Sequence, residues 1–234
     1  MLKRLLEARV LQDLADRLGL RLWERFLIWR HDLSTRDKMR RVFKRRADPF
    51  RYAGSAYETR RFEAMLALVA DRRHESALEV GCAEGRFTAL LAPRCGRLVA
   101  VDLSAAALER ARRNVASPQV AWTRANIRDW LPAERFDLIV LGDVAYYLGD
   151  PKKGPSFDKA YSEFCGRVRS WLRPGGRVLL ANGFGSASER ARNDDYAARL
   201  ERLGLRRLRD EVCGDRPHDK AGMRCSLHLL ELPA

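Results

Sequence analysis

Two glycines and an acidic residue give the clearest chemical signal in this sequence. Gly81 and Gly85 lie in the segment Leu78–Gly85, where a short apolar run that favours a strand gives way to a helical pattern. Glycine lets the backbone turn tightly and approach a ligand, and a helix that begins there presents N–H groups to it. Asp102 ends the next apolar run, where a carboxylate can accept hydrogen bonds from both hydroxyls of a ribose. The pattern therefore indicates a nucleoside site.

The spacing of the loop disfavours a dinucleotide. A pyrophosphate cradle needs the pattern GxGxxG, whereas this loop has Ala83 between its glycines and the acidic Glu79 before them. A ribose site without a pyrophosphate cradle points to S-adenosylmethionine. The residues that we predict to contact this cofactor here are Glu79, Gly81, Cys82, Ala83, Gly85, Asp102 and Leu103.

Later segments favour the same cofactor. Asn126 and Ile127 follow a third strand-like run. Phe136–Leu148 contains a fourth, and Leu172–Leu180 carries a Pro-Gly-Gly turn before a fifth. In these segments the sequence resembles the class I S-adenosylmethionine-dependent methyltransferases. The resemblance implies that Asn126 contacts the adenine amino group, that Ile127 packs against the adenine ring and that Gly142 contributes to the cofactor site.

A narrower resemblance covers about Asp48 to Gly176. Three features distinguish it from a general methyltransferase pattern: Tyr57-Glu58-x-x-Arg61, the run Leu91–Cys95 and the pair Tyr146-Tyr147. The sequence here is similar to the nodulation protein S type of methyltransferase, whose characterised members N-methylate a deacetylated amino sugar in lipo-chitooligosaccharides. The resemblance implies a small-molecule acceptor.

Two predicted strand ends depart from that family's pattern. Gly142-Asp143 stands where Ser-Glu is usual, and Asn182-Gly183 stands where a His-Trp pair is common. Both positions would face the acceptor. The sequence therefore leaves open an amine or a hydroxyl acceptor on an amino sugar, a glycolipid or a secondary metabolite, and an anionic or lipid-linked acceptor is compatible with the basic charge of the chain.

Methyl transfer from a sulfonium already has a good leaving group, so positioning and desolvation can supply most of the acceleration. An amine acceptor would gain from a nearby carboxylate, for which we predict Asp143, with Tyr146 and Tyr147 shaping the acceptor pocket. A helix cap or a cofactor contact is the alternative role of Asp143. Tyr57 and Arg61 are predicted to reach the methionine carboxylate of the cofactor.

The first 75 residues read as a helical extension that covers the pocket. Leucine or valine recurs every four residues over 2–18, which predicts an amphipathic helix that stops at Gly19. Further helices are predicted over Trp23–Arg30, from a weak cap at Ser34 through Arg46, and over Tyr57–Ala70.

Residues 76–234 predict a Rossmann-like domain. Five strand-like runs alternate with helices near 85–92, 104–115, 127–131 and 156–172, and a last helix near 188–203 precedes two further strand-like runs. Alternation of this kind predicts an α/β, doubly wound, seven-stranded sheet that is mostly parallel and ends in an antiparallel hairpin.

Composition excludes several classes of protein. The 234 residues are 46% hydrophobic and 32% charged, which suits a folded domain, and no apolar run reaches the roughly 20 residues that a membrane-spanning helix needs. The five cysteines show no CxxC spacing and the four histidines no paired spacing, so we predict a cytoplasmic protein without a disulfide framework or a metal.

The basic charge leaves two alternatives open. Residues 1–61 hold 17 Lys and Arg against 8 Asp and Glu. An RNA methyltransferase would use this charge, but the Asn/Asp-Pro-Pro-Tyr/Phe clamp of base-methylating enzymes is absent from the sequence. A non-catalytic binding protein with a vestigial cofactor fold could contact a membrane surface through residues 2–18.

Overall fold

The computed structural model describes residues 21–52, 54–150, 154–214 and 223–234. The helix predicted over 2–18 lies outside these residues. The helices are α1 (Arg21–Arg45), α2 (Ala56–Val69), α3 (Arg86–Leu91), α4 (Ala105–Asn114), α5 (Ala145–Leu148), α6 (Pro155–Trp171) and α7 (Ala187–Arg202), with a 3-10 turn at Ala92–Arg94. The strands are β1 (His74–Val80), β2 (Cys95–Asp102), β3 (Val120–Arg124), β4 (Phe136–Gly142), β5 (Leu172–Phe184), β6 (Arg206–Cys213) and β7 (Arg224–Glu231).

The seven strands form one sheet in the order β3-β2-β1-β4-β5-β7-β6. Strands β1 to β5 pair in parallel, and β7 runs antiparallel to both β5 and β6. The predicted sheet with its C-terminal hairpin is confirmed. The chain passes from β1 to β2 on one side and returns to β4 on the other, so the carboxyl ends of β1 and β4 meet at a switch point of the topology.

Both faces of the sheet are covered, which explains the continuous apolar runs of its central strands. Leu138 and Val140 of β4 belong to the apolar layer that includes Met65 of α2. Ile139 and Leu141 belong to the opposite layer, which includes Tyr161 of α6. Strand β6 differs, because it forms an edge of the sheet and five of its eight residues are charged.

Two helix predictions are wrong. Residues 21–45 form one helix, so the two predicted helices are continuous and Ser34 lies within α1 and caps nothing. The segment 127–131 is a turn, because the amide N–H groups of Asp129 and Trp130 both bond to the Asn126 carbonyl and Pro132 follows.

Helix α1 lies across the carboxyl end of the sheet. Phe43 is buried against Ala107 of α4, and Arg110 donates hydrogen bonds to the carbonyls of Phe43 and Arg46 at 2.5 and 2.7 Å. At the other end of the helix, Glu24 pairs with Lys159 of α6 at 2.8 Å. Among the described residues, no helix is both long enough and apolar enough to cross a membrane.

We expect Ser55→Ala to lower the free energy of unfolding by about 1 kcal/mol. The Ser55 hydroxyl accepts a hydrogen bond from the Glu58 amide at 3.3 Å and caps α2, and alanine leaves that amide without it. Ser34→Ala is the matched control, because Ser34 is exposed within α1. Urea denaturation measures both variants, and an equal loss in the two would contradict a capping role.

Candidate active site

A cavity of about 310 Å³ opens at the switch point between β1 and β4. Ligands of open α/β sheets bind at this position because the loops that follow neighbouring strands diverge there. Eleven of the residues singled out from the sequence line it: Tyr57, Gly81, Ala83, Asp102, Leu103, Asn126, Ile127, Gly142, Asp143, Tyr146 and Tyr147.

The glycine loop is held against the end of β2 by the Asp102 carboxylate. Its two oxygens accept hydrogen bonds from the Ala83 amide at 3.0 Å and the Ser104 amide at 2.8 Å. Burial raises the pKa of Asp102, and these hydrogen bonds offset the effect only in part. Gly81 needs its positive φ of 78°, and a Cβ there would overlap the Val144 side chain. The loop conformation therefore depends on glycine at position 81.

Glu79 lies beneath this loop, buried at the end of β1. Its carboxylate accepts a hydrogen bond from the Thr88 hydroxyl at 2.7 Å. Burial raises the pKa of Glu79 to about 7, with a smaller contribution from Asp102, although the Thr88 hydrogen bond acts in the opposite direction. Glu79 therefore titrates near neutrality.

One end of the cavity is closed by a polar cluster between α1 and the β3–β4 connection. The Asn126 amide donates to Asp32 of α1 at 3.1 Å, and the Arg128 guanidinium donates to the same carboxylate at 3.0 Å. Arg128 also donates to the Tyr147 carbonyl at 3.2 Å. Burial would raise the pKa of Asp32, but its hydrogen bond with His31 and the charge of Arg128 hold it below its ordinary value. The cluster ties α1 to the loop that carries Ile127.

The other end of the cavity holds two carboxylates that share one guanidinium. Arg61 of α2 is 3% exposed. It donates from Nη1 to Asp143 at 2.5 Å and from Nε to Glu58 at 2.9 Å. The second oxygen of Asp143 accepts a hydrogen bond from the Gly183 amide at 2.8 Å. Glu58 and Asp143 line the cavity while Arg61 lies behind them, so this end carries more negative than positive charge.

Aromatic side chains form much of the remaining wall. Tyr146 and Tyr147 lie with ring centroids 4.5 Å apart, and Tyr52 and Tyr57 contribute from the connection before α2 and from α2 itself. Burial raises the pKa of Tyr52, Tyr57 and Tyr146 far above the ordinary value for tyrosine. These phenols therefore stay neutral and can donate hydrogen bonds.

Four of the residues selected from the sequence do not line this cavity. Arg61, Glu79 and Cys82 border an adjoining cavity of about 30 Å³ behind the glycine loop. Gly85 borders neither; it caps the start of α3 with a φ of 80°, and a Cβ there would lie 3.0 Å from the Val115 side chain.

The structure also adds residues that the sequence reasoning missed. The added residues from α1 and from the connection after it belong to no sequence motif that could have predicted them. Glu58, in contrast, lies within the pattern that singled out Tyr57 and Arg61. The added lining residues are Asp32, Thr35, Met39, Phe43, Phe50, Tyr52, Glu58, Val80, Val101, Ala125, Val144, Leu148 and Met223.

Outside the cavity, one group of potential metal ligands occurs within the described residues: Asp194, Asp210 and His228. Both carboxylates already pair with Arg190, at 2.9 and 2.8 Å. The guanidinium supplies the positive charge that a cation would bring.

The sheet order, the glycine loop and the carboxylate at the end of β2 define the fold of the class I S-adenosylmethionine-dependent methyltransferases. The family model of nodulation protein S (NodS) matches residues 32–156. The chain belongs to the nodulation protein S family.

Individual relatives agree with this assignment. Nodulation protein S of Rhizobium tropici is 38% identical over 144 residues, which are 61% of this chain and 56% of the relative. Trans-aconitate 2-methyltransferase of Azoarcus sp. (strain BH72) is 33% identical over 149 residues, which are 61% of this chain and 54% of the relative. This chain thus spans little more than half the length of these curated relatives.

The crystal structure of N-methyltransferase NodS from Bradyrhizobium japonicum WM9 in complex with S-adenosyl-l-homocysteine superposes with a TM-score of 0.70 at 26% identity. The match covers 83% of this chain and 98% of that one. The likeness to that solved structure therefore extends well beyond the residues that the family model matches.

We expect Glu79→Gln to change how stability depends on pH. The pKa of Glu79 in the folded protein lies above its ordinary value of 4.5, so the folded state keeps a proton that the unfolded state loses as pH rises. The wild type therefore loses stability between about pH 4.5 and about pH 7, by up to about 3 kcal/mol.

Glutamine does not titrate, so the variant should gain stability relative to the wild type as pH rises through this window. Urea denaturation at a series of pH values measures the difference. Glu109→Gln is the control, because that side chain is 69% exposed. A stability difference between Glu79→Gln and the wild type that is constant with pH would show that Glu79 ionises normally.

Proposed function

We propose that this protein transfers a methyl group from S-adenosylmethionine to an amine of a small-molecule acceptor. The observation that carries the proposal is the arrangement of one cavity: a strand-end carboxylate, Asp102, beside the glycine loop, and a second pair of carboxylates, Glu58 and Asp143, around Arg61. Asp102 suits the ribose of the cofactor. Glu58 and Asp143 suit an acceptor that carries or develops positive charge.

The residues of the cavity fit the cofactor. S-adenosylmethionine, when bound, supplies an electrophilic methyl group on a sulfonium centre. Asp102 would accept hydrogen bonds from the ribose hydroxyls, and the apolar Leu103 and Ile127 would pack against adenine, with the Asn126 amide at its edge. Gly81, Ala83 and Gly142 would bring backbone close to the cofactor, while Glu79 and Cys82 would support the loop from behind.

Arg61 has a different role in this proposal from the one that the sequence suggested. Its Nε and Nη2 atoms contact Glu58, and Nη1 contacts Asp143. A guanidinium engaged in this way positions two carboxylates, and we propose that it does so instead of binding the methionine carboxylate. Tyr57, which lines the cavity, remains the candidate for that contact.

At the acceptor end, Asp143 would pair with the amine and with the ammonium that methyl transfer produces. The neutral phenols of Tyr146 and Tyr147 would shield the reacting atoms from water. An anionic acceptor would meet the charge of Glu58 and Asp143 unfavourably, which argues against a carboxylate substrate.

Among amines, we propose an amino sugar. The N-methyltransferase activity named for the Bradyrhizobium relative and the resemblance to proteins that methylate a deacetylated amino sugar support this choice. Incubation with labelled S-adenosylmethionine and a panel of amino sugars, other amines, phenols and RNA tests it. Transfer to phenols or RNA alone would overturn the amine proposal.

We expect Asp102→Ala to weaken binding of S-adenosylhomocysteine by about 1.5 to 3 kcal/mol, because a hydrogen bond to a charged group contributes about this much. Isothermal titration calorimetry measures the affinity. Asp137→Ala is the matched control, since Asp137 also accepts two backbone hydrogen bonds, from Glu75 and Ser76, but does not line the cavity. Equal weakening in both variants would indicate a loss of folding and not of a ligand contact.

We expect Asp143→Asn to lower turnover of an amine acceptor about 10² to 10⁴-fold while cofactor affinity changes little. The substitution keeps the size of the side chain and removes the charge that would pair with the ammonium. Radiolabelled methyl transfer measures turnover and calorimetry measures affinity, with Asp137→Asn as the control. Unchanged turnover would leave positioning as the whole mechanism, and lost affinity would assign Asp143 to the cofactor.

A further inference from the structure

Helix α1 presents apolar side chains to solvent at its N-terminal half. Leu22 is 66% exposed, Phe26 41% and Trp29 57%. Their spacing of four and three residues puts them on one face of the helix. The Phe26 ring lies 5.8 Å from the Trp29 ring and 5.4 Å from the Trp23 ring. Two of the three exposed side chains, Phe26 and Trp29, are therefore aromatic and lie next to each other.

The same helix carries a large excess of positive charge. It contains nine Lys and Arg residues against three acidic residues. The acidic side chains are all engaged: Glu24 with Lys159, Asp32 with Arg128 and Asp37 with Arg40. Eight of the basic side chains are exposed along α1, namely Arg25, Arg30, Arg36, Lys38, Arg40, Arg41, Lys44 and Arg45.

We propose that this surface of α1 docks on an anionic lipid bilayer. Leucine, phenylalanine and tryptophan on one face, with arginine and lysine around them, is the composition that inserts at the headgroup level of a membrane. The basic side chains complement acidic headgroups. A second copy of the chain fits less well, because two such helices would bring their like charges together. A polyanion such as RNA would use the charge and leave the apolar patch unused.

Docking in this way would bring the candidate active site to the membrane surface. A different face of α1, which includes Asp32, Thr35 and Met39, lines the cavity. A helix with its side chains is about 10 Å across, so the cavity wall would lie within about that distance of the headgroups. An acceptor held at a membrane would then be within reach. The inference concerns docking alone and does not depend on methyl transfer.

Sedimentation with vesicles tests the proposal on the full chain without cofactor or acceptor. We expect binding to vesicles of phosphatidylcholine mixed with phosphatidylglycerol, and at least tenfold weaker binding to pure phosphatidylcholine. The double variant Arg30→Gln/Arg41→Gln should bind the mixed vesicles about thirtyfold more weakly. Arg94→Gln/Arg135→Gln removes two exposed charges elsewhere and should reduce binding much less.

The apolar patch has its own test. Leu22→Ser/Phe26→Ser should weaken binding at least tenfold, since it removes the side chains that would leave water. Leu131→Ser is the control, because Leu131 is 75% exposed on a different segment. Thermal melting followed by circular dichroism checks that every variant folds.

Three results would overturn the proposal. The first is a wild-type chain that does not sediment with anionic vesicles. The second is a Leu22→Ser/Phe26→Ser variant that binds like the Leu131→Ser control, since charge alone would then account for binding. The third is light scattering that finds a dimer in the wild type and a monomer in that variant, since a second copy would then cover the patch.

Discussion

The burial of one guanidinium constrains the whole acceptor end of the cavity. A charge as deeply buried as that of Arg61 needs paired partners, and removing one partner of such a group typically costs about 3 to 5 kcal/mol. Its partners are Glu58 in the first turn of α2 and Asp143 at the end of β4. Asp143 also accepts a hydrogen bond from the Gly183 amide of β5. One ion cluster thus fixes three separate elements relative to each other.

Two of the three residues other than glycine that have a positive φ within the described residues line this cavity. Ala83 has a φ of 47° and Asp143 a φ of 52°, a conformation that residues other than glycine rarely adopt. Each is held by specific bonds: the Ala83 amide by Asp102, and the Asp143 amide by the Ala181 carbonyl at 2.8 Å. Strain of this kind persists only where the surroundings enforce it, and it is common at ligand-binding sites. It supports the assignment of this cavity as the functional site.

The sequence predicted what local patterns determine. Strands β1, β2 and β4 and the later part of β5 are largely buried apolar runs, and Asp102 at the end of β2 follows from them directly. Strand β3 buries only Val120, and Asn126 lies two residues beyond its end. What it did not predict depends on distant partners. Asp32 is recognisable only through Asn126 and Arg128, more than ninety residues away. Arg61 was singled out, but its pairing with Asp143, 82 residues on, was not predicted. Ser34 shows the opposite kind of error. The sequence around it resembles a helix cap, but the residue lies inside one continuous helix, which is stabilised by packing against α4 and α6.

The charged edge strand has a consequence for how the protein behaves at high concentration. An edge strand leaves unpaired backbone groups that can hydrogen-bond to another chain, which is a common route to polymerisation. If a second copy paired with β6 through its own β6, the charged side chains of the two strands would lie side by side. These side chains are Arg206, Arg207, Arg209 and Asp210 in each copy. Arg206 already pairs with Glu231, and Arg207 pairs with Glu201 and Asp210. Pairing with a second copy would therefore break ion pairs and also remove water from these charges. Edge-to-edge growth of fibres from this side of the sheet is therefore disfavoured.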